Sequence, residues 1–329
     1  MGMFSGRAVC RAVMAGMSLA AVSSVTIQPA VAADYPTKPI RWIVPFPAGA
    51  TDIQARAVAE KVQPRIGQPI IIETKPGAST VIGTEYVVNA APDGYTMLFT
   101  SGVLTTLKPL VKDLKFDPDK ALAPVSLVAQ GYFVAAVNSS LPVKSIAELV
   151  AHSKANPGKL NYVSLGRNSV MLMVEQLKMQ TGMDLTPIPY QGMAPGRIAL
   201  IRNDVQFILD GPQSLKPLAE AGQVRMLMTA GPVRSPTVPD LPNSSEAGVP
   251  GYVAGYILAL LAPAGTARDI INRTSSEIAA AVNTPELKKL FIDSGGESVG
   301  STPEALAQRL ANDSRKYAEA ARAAKIQPE

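Results

Sequence analysis

The sequence is poor in the side chains from which reactive centres are built. Its 329 residues include one cysteine, one histidine and one tryptophan, and aromatics make up 5%. Cys10 falls in an N-terminal stretch with the layout of a secretory signal peptide. Arg7 and Arg11 lead an Ala/Met/Val-rich run without acids, which closes on Ala30-Val31-Ala32. Cleavage there removes the one thiol, so the exported form has no disulfide, cysteine–metal site or thiol nucleophile. The run is diluted by Ser, Thr and Gln and falls short of the ~18–20 apolar residues of a membrane anchor. No apolar lipobox leads into Cys10, which excludes lipoprotein processing. A lone histidine leaves only carboxylates for a metal, and Asp113, Asp117 and Asp119 follow no calcium-loop pattern. "GASTVIG" lacks the Gly-Lys-Ser/Thr of a phosphate loop. No metal or cofactor is expected. Without the leader the formal charge falls from +5 to +3, since two of 31 basic residues and none of 26 acids are lost. There is no dense Lys/Arg stripe, so nucleic acid is not an expected partner.

What is present is a well-filled α/β chain. Apolar residues make up 47% and charged ones 17%, and the 297 or so residues after the leader are near the size at which one core gives way to two lobes. Short apolar runs alternate with helical patterns. Ile40–Phe46, Pro69–Glu73, Tyr95–Thr100, Val125–Val128, Tyr132–Val137, Leu160–Ser164, Asp184–Pro189, Val205–Asp210 and Val224–Thr229 read as strands. Helices are expected over Thr51–Ile66, Val81–Ala91 and Ser145–Lys154, and from Ser169, Pro195 and Gln213. Ser145 with Glu148 forms a capping box. Such alternation means parallel α/β sheets. After one long apolar strand in "YVAGYILALLAPAG" helices dominate, with Thr266, Thr284 and Thr302 as N-cap candidates. "GPVRSPTVPDLPNSSEAGVPGY" reads as a long surface loop.

In "IRWIVPFPAGATDIQARAVAEKV" two prolines stop a strand, and a helix re-emerges after Ala48-Gly49-Ala50. Ligands of open parallel sheets sit beyond the carboxyl ends of strands. A helix N-terminus there offers unpaired N–H groups and a partial positive charge to an anion, with no cationic side chain required. An ordinary tight turn, with Thr51 or Asp52 capping its helix, accounts for the same residues.

"YPTKPIRWIVPFPAGATDIQARAVAEKV", "KPGASTVIGTEYVVNAAPDGYTMLF", "FDPDKALAPVSLVA", "ANPGKLNYVSLG", "IPYQGMAP" and "LLAPAGTARDIINR" follow in that order. Together they closely resemble the Bug-type, TctC-like solute receptors of tripartite tricarboxylate transporters, from Tyr35 to Glu329. The resemblance implies a periplasmic, monomeric, two-lobed clamp of the Venus-flytrap kind, two mixed or parallel sheets flanked by helices with a cleft between them. It implies no catalysis, a small organic acid as ligand, and membrane permease subunits as partners. The first lobe is expected to comprise residues 35–134 and 256–329, the second 135–255. Carried over residue by residue, first-lobe contacts fall on Pro47, Ala48, Gly49, Ala50, Thr51 and Ser101. Second-lobe contacts fall on Gly166, Arg167, Asn168, Ser169, Tyr190, Gln191 and Asp210.

The sequence departs from the family pattern in places. Its first loop is one residue shorter, Ser79-Thr80 replaces a usual Gly-Gly pair, and "GRNSVML" introduces Arg167 and Asn168 and lacks the usual histidine. Arg167 either holds a second carboxylate as a bidentate fork or faces water at the rim. Met171, Met173 and Met193 suit an apolar ligand body or, more simply, the core. Gly296-Glu297-Ser298-Val299-Gly300 matches a nucleophile-elbow pattern, but the base must follow the serine and His152 precedes it. A ligand-sensing receptor that reports to a membrane sensor uses the same closure and is the alternative to uptake.

Overall fold

The computed structural model describes residues 35–329, and the expected signal peptide lies outside them. Among the described residues the chain begins β1 (Ile40–Val44), α1 (Ala50–Ile66), β2 (Ile70–Thr74), α2 (Val81–Val88), β3 (Thr96–Ser101), α3 (Leu107–Leu110) and β4 (Leu122–Tyr132). It continues with β5 (Val134–Asn138), α4 (Ile146–Ala155), β6 (Asn161–Ser164), α5 (Ser169–Thr181), β7 (Thr186–Pro189), α6 (Met193–Ile201), β8 (Phe207–Asp210), α7 (Pro212–Glu220) and β9 (Val224–Thr229). It ends with β10 (Gly255–Pro263), α8 (Arg268–Val282), α9 (Pro285–Asp293), β11 (Glu297–Ser298) and α10 (Pro303–Ala323).

These strands form two sheets, in the orders β11-β4-β10-β3-β1-β2 and β7-β6-β8-β5-β9. Strands joined by a helical crossover run parallel, as β1 does with β2 and β3, and β6 with β7 and β8. Both sheets are nevertheless mixed, because β10 lies antiparallel to β3 and β4, and β5 to β8 and β9. These are the strands by which the chain enters one sheet from the other. Side chains of β10 alternate between two cores: Leu258, Leu260 and Ala262 on one face, Ile257, Ala259 and Leu261 on the other. Burial on both faces is why this strand reads as an unbroken apolar run. Trp42 of β1 stacks on Phe99 of β3 at 5.7 Å inside the first of these cores.

The fold is two-lobed, and the chain crosses between the sheets twice. Phe133 alone separates β4 from β5, and residues 230–254 link β9 to β10. The crossings are laced together: Phe133 N donates to Ala254 O at 2.9 Å, Ala230 N to Phe133 O at 2.8 Å, and Ala254 N to Ala230 O at 2.9 Å. A β-carbon on Gly255 would stand 1.9 Å from the Gly131 carbonyl oxygen, so only glycine lets the two strands approach this closely. The Pro/Gly-rich segment before β10 is anchored rather than loose. Tyr252 is fully buried and its hydroxyl donates to Met173 O at 3.0 Å, while Arg234 pairs with Glu246 at 2.9 Å.

The terminal helix serves both lobes. Leu306 enters a core of the first sheet, and Tyr317 and Ala321 enter a core of the second. At 21 residues α10 is about 30 Å long, enough to reach both. Thr302 caps it, accepting from Ala305 N at 3.3 Å. Thr266 does not cap α8; its hydroxyl donates to Pro263 O at 2.8 Å and the helix starts after Ala267.

Candidate functional site

Every loop singled out in the sequence follows the carboxyl end of a strand. In the first lobe Pro47, Ala48, Gly49 and Ala50 are exposed and Thr51 is half-buried. Helix α1 begins behind Gly49, and no side chain caps it. The first helical bond runs from Ile53 N to Gly49 O at 2.9 Å, so the amides of Ala50, Thr51 and Asp52 have no acceptor within the helix. Asp52 is engaged elsewhere, accepting from Arg56 Nε at 3.2 Å. The tight-turn reading required Thr51 or Asp52 to cap α1, and neither does. Ser101 ends β3, and its hydroxyl oxygen accepts from Val103 N at 3.4 Å. The turn that it opens, residues 102–106, touches α5 of the other lobe.

A neighbour of the first loop was missed in the sequence. Ala78, Ser79 and Thr80 all take positive φ, at 46, 52 and 80°. Left-handed backbone costs a residue with a β-carbon roughly 1–2 kcal/mol. This strained turn leads into α2, whose Gly83 lies against Pro45: an added β-carbon would be 2.8 Å from the proline ring. The available signal was Ser79-Thr80 standing where glycines are usual. Strain of this kind gathers at ligand clamps and switch regions.

In the second lobe the loops are bonded to one another. Tyr190 N donates to Ser164 O at 2.8 Å, and Ser164 Oγ donates to Gly166 O at 3.1 Å. Gly166 takes a left-handed φ of 77°. Asn168 caps α5 by accepting from Met171 N at 3.0 Å, and Ser169 is the half-buried first residue of that helix. Gln191 is exposed and Tyr190 half-buried; Gly192 then opens α6 without a side-chain cap.

The two cations of this lobe's mouth are already paired. Arg167 Nη1 donates to Gln327 O at 2.6 Å and pairs with Glu329 at 2.8 Å. That tail is fixed to the other lobe, with Lys112 N donating to Glu329 O at 2.9 Å and Glu329 N to Leu110 O at 3.1 Å. Buried Asp210 accepts from Arg197 Nη1 at 2.6 Å and from Gly211 N at 2.7 Å. Both of its oxygens are therefore occupied, and its charge is offset by Arg197. Arg197 was not anticipated: it stands in the middle of α6, and its partner comes from the end of β8, a strand no local pattern brings to it. What remains to meet a ligand is mainly main chain: the bare first turns of α1 and α6.

The rival readings lack the geometry they need. Ser298 lies in the two-residue strand β11 paired to β4, not at a strand-to-helix turn, and His152 is on α4 beside the other sheet. Asp117 and Asp119 hold Lys108 at 2.8 and 2.9 Å. Met171 and Met173 belong to the second-lobe core, and Met193 packs on a neighbouring cluster.

Residues 54–324 match the family described as the tripartite tricarboxylate transporter family receptor. Protein BugT of Bordetella pertussis is 31% identical over 303 residues, covering 90% of this chain and 93% of that protein. Among solved structures, R. palustris Rpa4515 with adipate is 30% identical with a TM-score of 0.71, covering 90% of this chain and 100% of that one. MatC from Rhodopseudomonas palustris with bound malate is 26% identical with a TM-score of 0.68, covering 87% and 100%.

Proposed function

Because the chain belongs to the tripartite tricarboxylate transporter receptor family, we propose that it is a periplasmic receptor that captures a small organic acid between its lobes and delivers it to the membrane subunits of such a transporter. Members of this family are solute receptors rather than enzymes. The observation that carries the reading is the bare first turn of α1 behind Gly49, in a chain similar to proteins solved with adipate and with malate. One carboxylate of the ligand lies against the amides of Ala50 to Asp52. Ser101 lies on the same lobe as those amides, and the Gly192 turn and Asn168 line the other side. Thr51, Ser169, Tyr190 and Gln191 complete the contacts, and Asp210 acts by holding Arg197. The lobes divide near Val134 and Tyr256, and the laced segments at Phe133, Ala230 and Ala254 form the hinge.

A thermal-shift screen of dicarboxylates, adipate and malate among them, tests this. At a hundredfold excess over Kd a ligand adds about 2.7 kcal/mol, which corresponds to a rise of about 4 °C. If no organic acid raises Tm, the proposal is wrong.

A further inference from the structure

A cavity of about 850 Å³ lies beneath α10, lined by none of the residues assigned to the acid. One wall is the helix face that carries Ala307, Leu310, Ala311, Ser314 and Ala318; the other is formed by Leu104, Pro109, Leu122 and Leu261. Leu310 packs against the cluster that holds Leu104, Leu122 and Leu261, while Ala307, Ala311 and Ala318 present only methyl groups to the space beside it. Beyond the helix Lys325 takes a left-handed φ of 55°. The turn brings Ile326, Gln327 and Pro328 into the lining.

The rim is one-sided in charge. Lys108, Arg315, Arg322 and Lys325 line the cavity against a single acid, Asp119. Lys108 is shared by Asp117 and Asp119. Among the described residues Arg315 and Arg322 find only neutral acceptors, the Asn312 amide oxygen at 3.3 Å and the Ala318 carbonyl at 3.4 Å. The volume falls within the ~300–1,000 Å³ of small-molecule sites, which are apolar with a few placed polar groups.

We propose that this cavity is a second binding site, which takes an amphipathic carboxylate with an acyl chain against the alanine face and its head group among Arg315, Arg322 and Lys325. Guanidinium groups suit that head group because they present paired N–H donors to a carboxylate. The apolar walls take the chain out of water, and each methylene so removed adds to the affinity.

Calorimetric titration of the protein with decanoate, and with decanol as the uncharged counterpart, tests the assignment. Ala311→Trp plugs the cavity, the double variant Arg315→Gln/Arg322→Gln removes the charge, and Gly49→Asp closes the interlobe site to acids. Saturable 1:1 binding of decanoate is expected to survive Gly49→Asp and to disappear in Ala311→Trp. In the double variant it weakens at least about tenfold, the loss for one charge-assisted hydrogen bond, and decanol binds the unaltered protein more weakly by a similar factor. No saturable binding at millimolar decanoate, binding lost with Gly49→Asp, or binding unchanged in a folded Ala311→Trp overturns the proposal. Should Ala311→Trp fail to fold, the double variant decides: undiminished decanoate affinity there overturns it equally.

Discussion

Helices α1 and α5 both begin at loops assigned to the same acid, and they begin differently. Helix α1 starts behind Gly49 with no side chain on its first-turn amides. Helix α5 starts behind Asn168, whose side chain accepts from Met171 N, and the adjacent Arg167 is spent on Gln327 and Glu329. One mouth is left for a guest and the other is closed by the protein's own groups. An uncapped N-terminus sacrifices stability that Ser, Asp or Asn would restore, so its persistence beside a cleft has a functional explanation. On the proposed reading α1 offers a main-chain grip, the equally uncapped α6 offers another from the second lobe, and α5 offers a pre-bonded surface beside it.

Filling the open mouth is the strongest way to break this contrast. Gly49 is in extended backbone at φ 166°, and an added β-carbon meets nothing closer than 3.9 Å. Gly49→Asp is therefore sterically free, and its carboxylate would cap α1 from within. Two carboxylates about 4 Å apart repel by about 4 kcal/mol at an effective dielectric of 20. The expected result is a loss of acid binding of at least about 100-fold, with stability held or raised by a few tenths of a kcal/mol. Titration calorimetry and melting curves measure the two effects. Lower stability together with unchanged binding would remove α1 from the site.

The second prediction concerns Arg167. If its guanidinium exchanges the tail carboxylate for the far carboxylate of a ligand, Arg167→Ala costs a dicarboxylate about tenfold in Kd, one charge-assisted hydrogen bond, and leaves a monocarboxylate unaffected. Glu329→Gln moves dicarboxylate affinity the other way by no more than about threefold, because an exposed ion pair is worth less than about 1 kcal/mol. Equal losses for both acids in Arg167→Ala would assign the arginine to the tail alone.

What could be read in the sequence was local. Strand Val224–Thr229 falls where its residues predicted, and α4 carries half of the expected box: Glu148 N donates to Ser145 Oγ at 3.1 Å, while the Glu148 carboxylate accepts from Lys144 N at 2.7 Å, one residue before the N-cap. Both depend on residues within a few positions of each other. The Pro47–Thr51 loop was placed by the same logic, since it follows a strand's end, whereas Ser101 and the second-lobe loops came only from the family resemblance. Two features resisted. The antiparallel insertion of β10 between β3 and β4 joins residues well over a hundred positions apart, and no local periodicity encodes a neighbour. Arg167 finds its partner 160 residues away, so the sequence could pose its role but not decide it. The capped or bare state of each helix was equally hidden: an Asn and a Gly were visible, but their geometry was not.

The smallest expected effect comes from opening the closed mouth. Asn168→Ala removes the cap of α5 and exposes amides like those of α1. Loss of an Asn cap costs about 1 kcal/mol, which in a protein of this size lowers Tm by about 1.5–2 °C. Acid affinity is expected to change by less than about threefold, since the Asn168 side-chain carbonyl oxygen is spent on Met171 N and the Met171 amide is not among the donors assigned to the acid. Melting curves and calorimetry on this variant, set beside those for Gly49→Asp, therefore separate two kinds of helix start. Stability falls and binding holds where the cap is structural; stability holds and binding falls where the bare turn grips the ligand. A Tm loss in Asn168→Ala accompanied by a binding loss as deep as that of Gly49→Asp would mean that both helix starts grip, and the contrast between α1 and α5 would go.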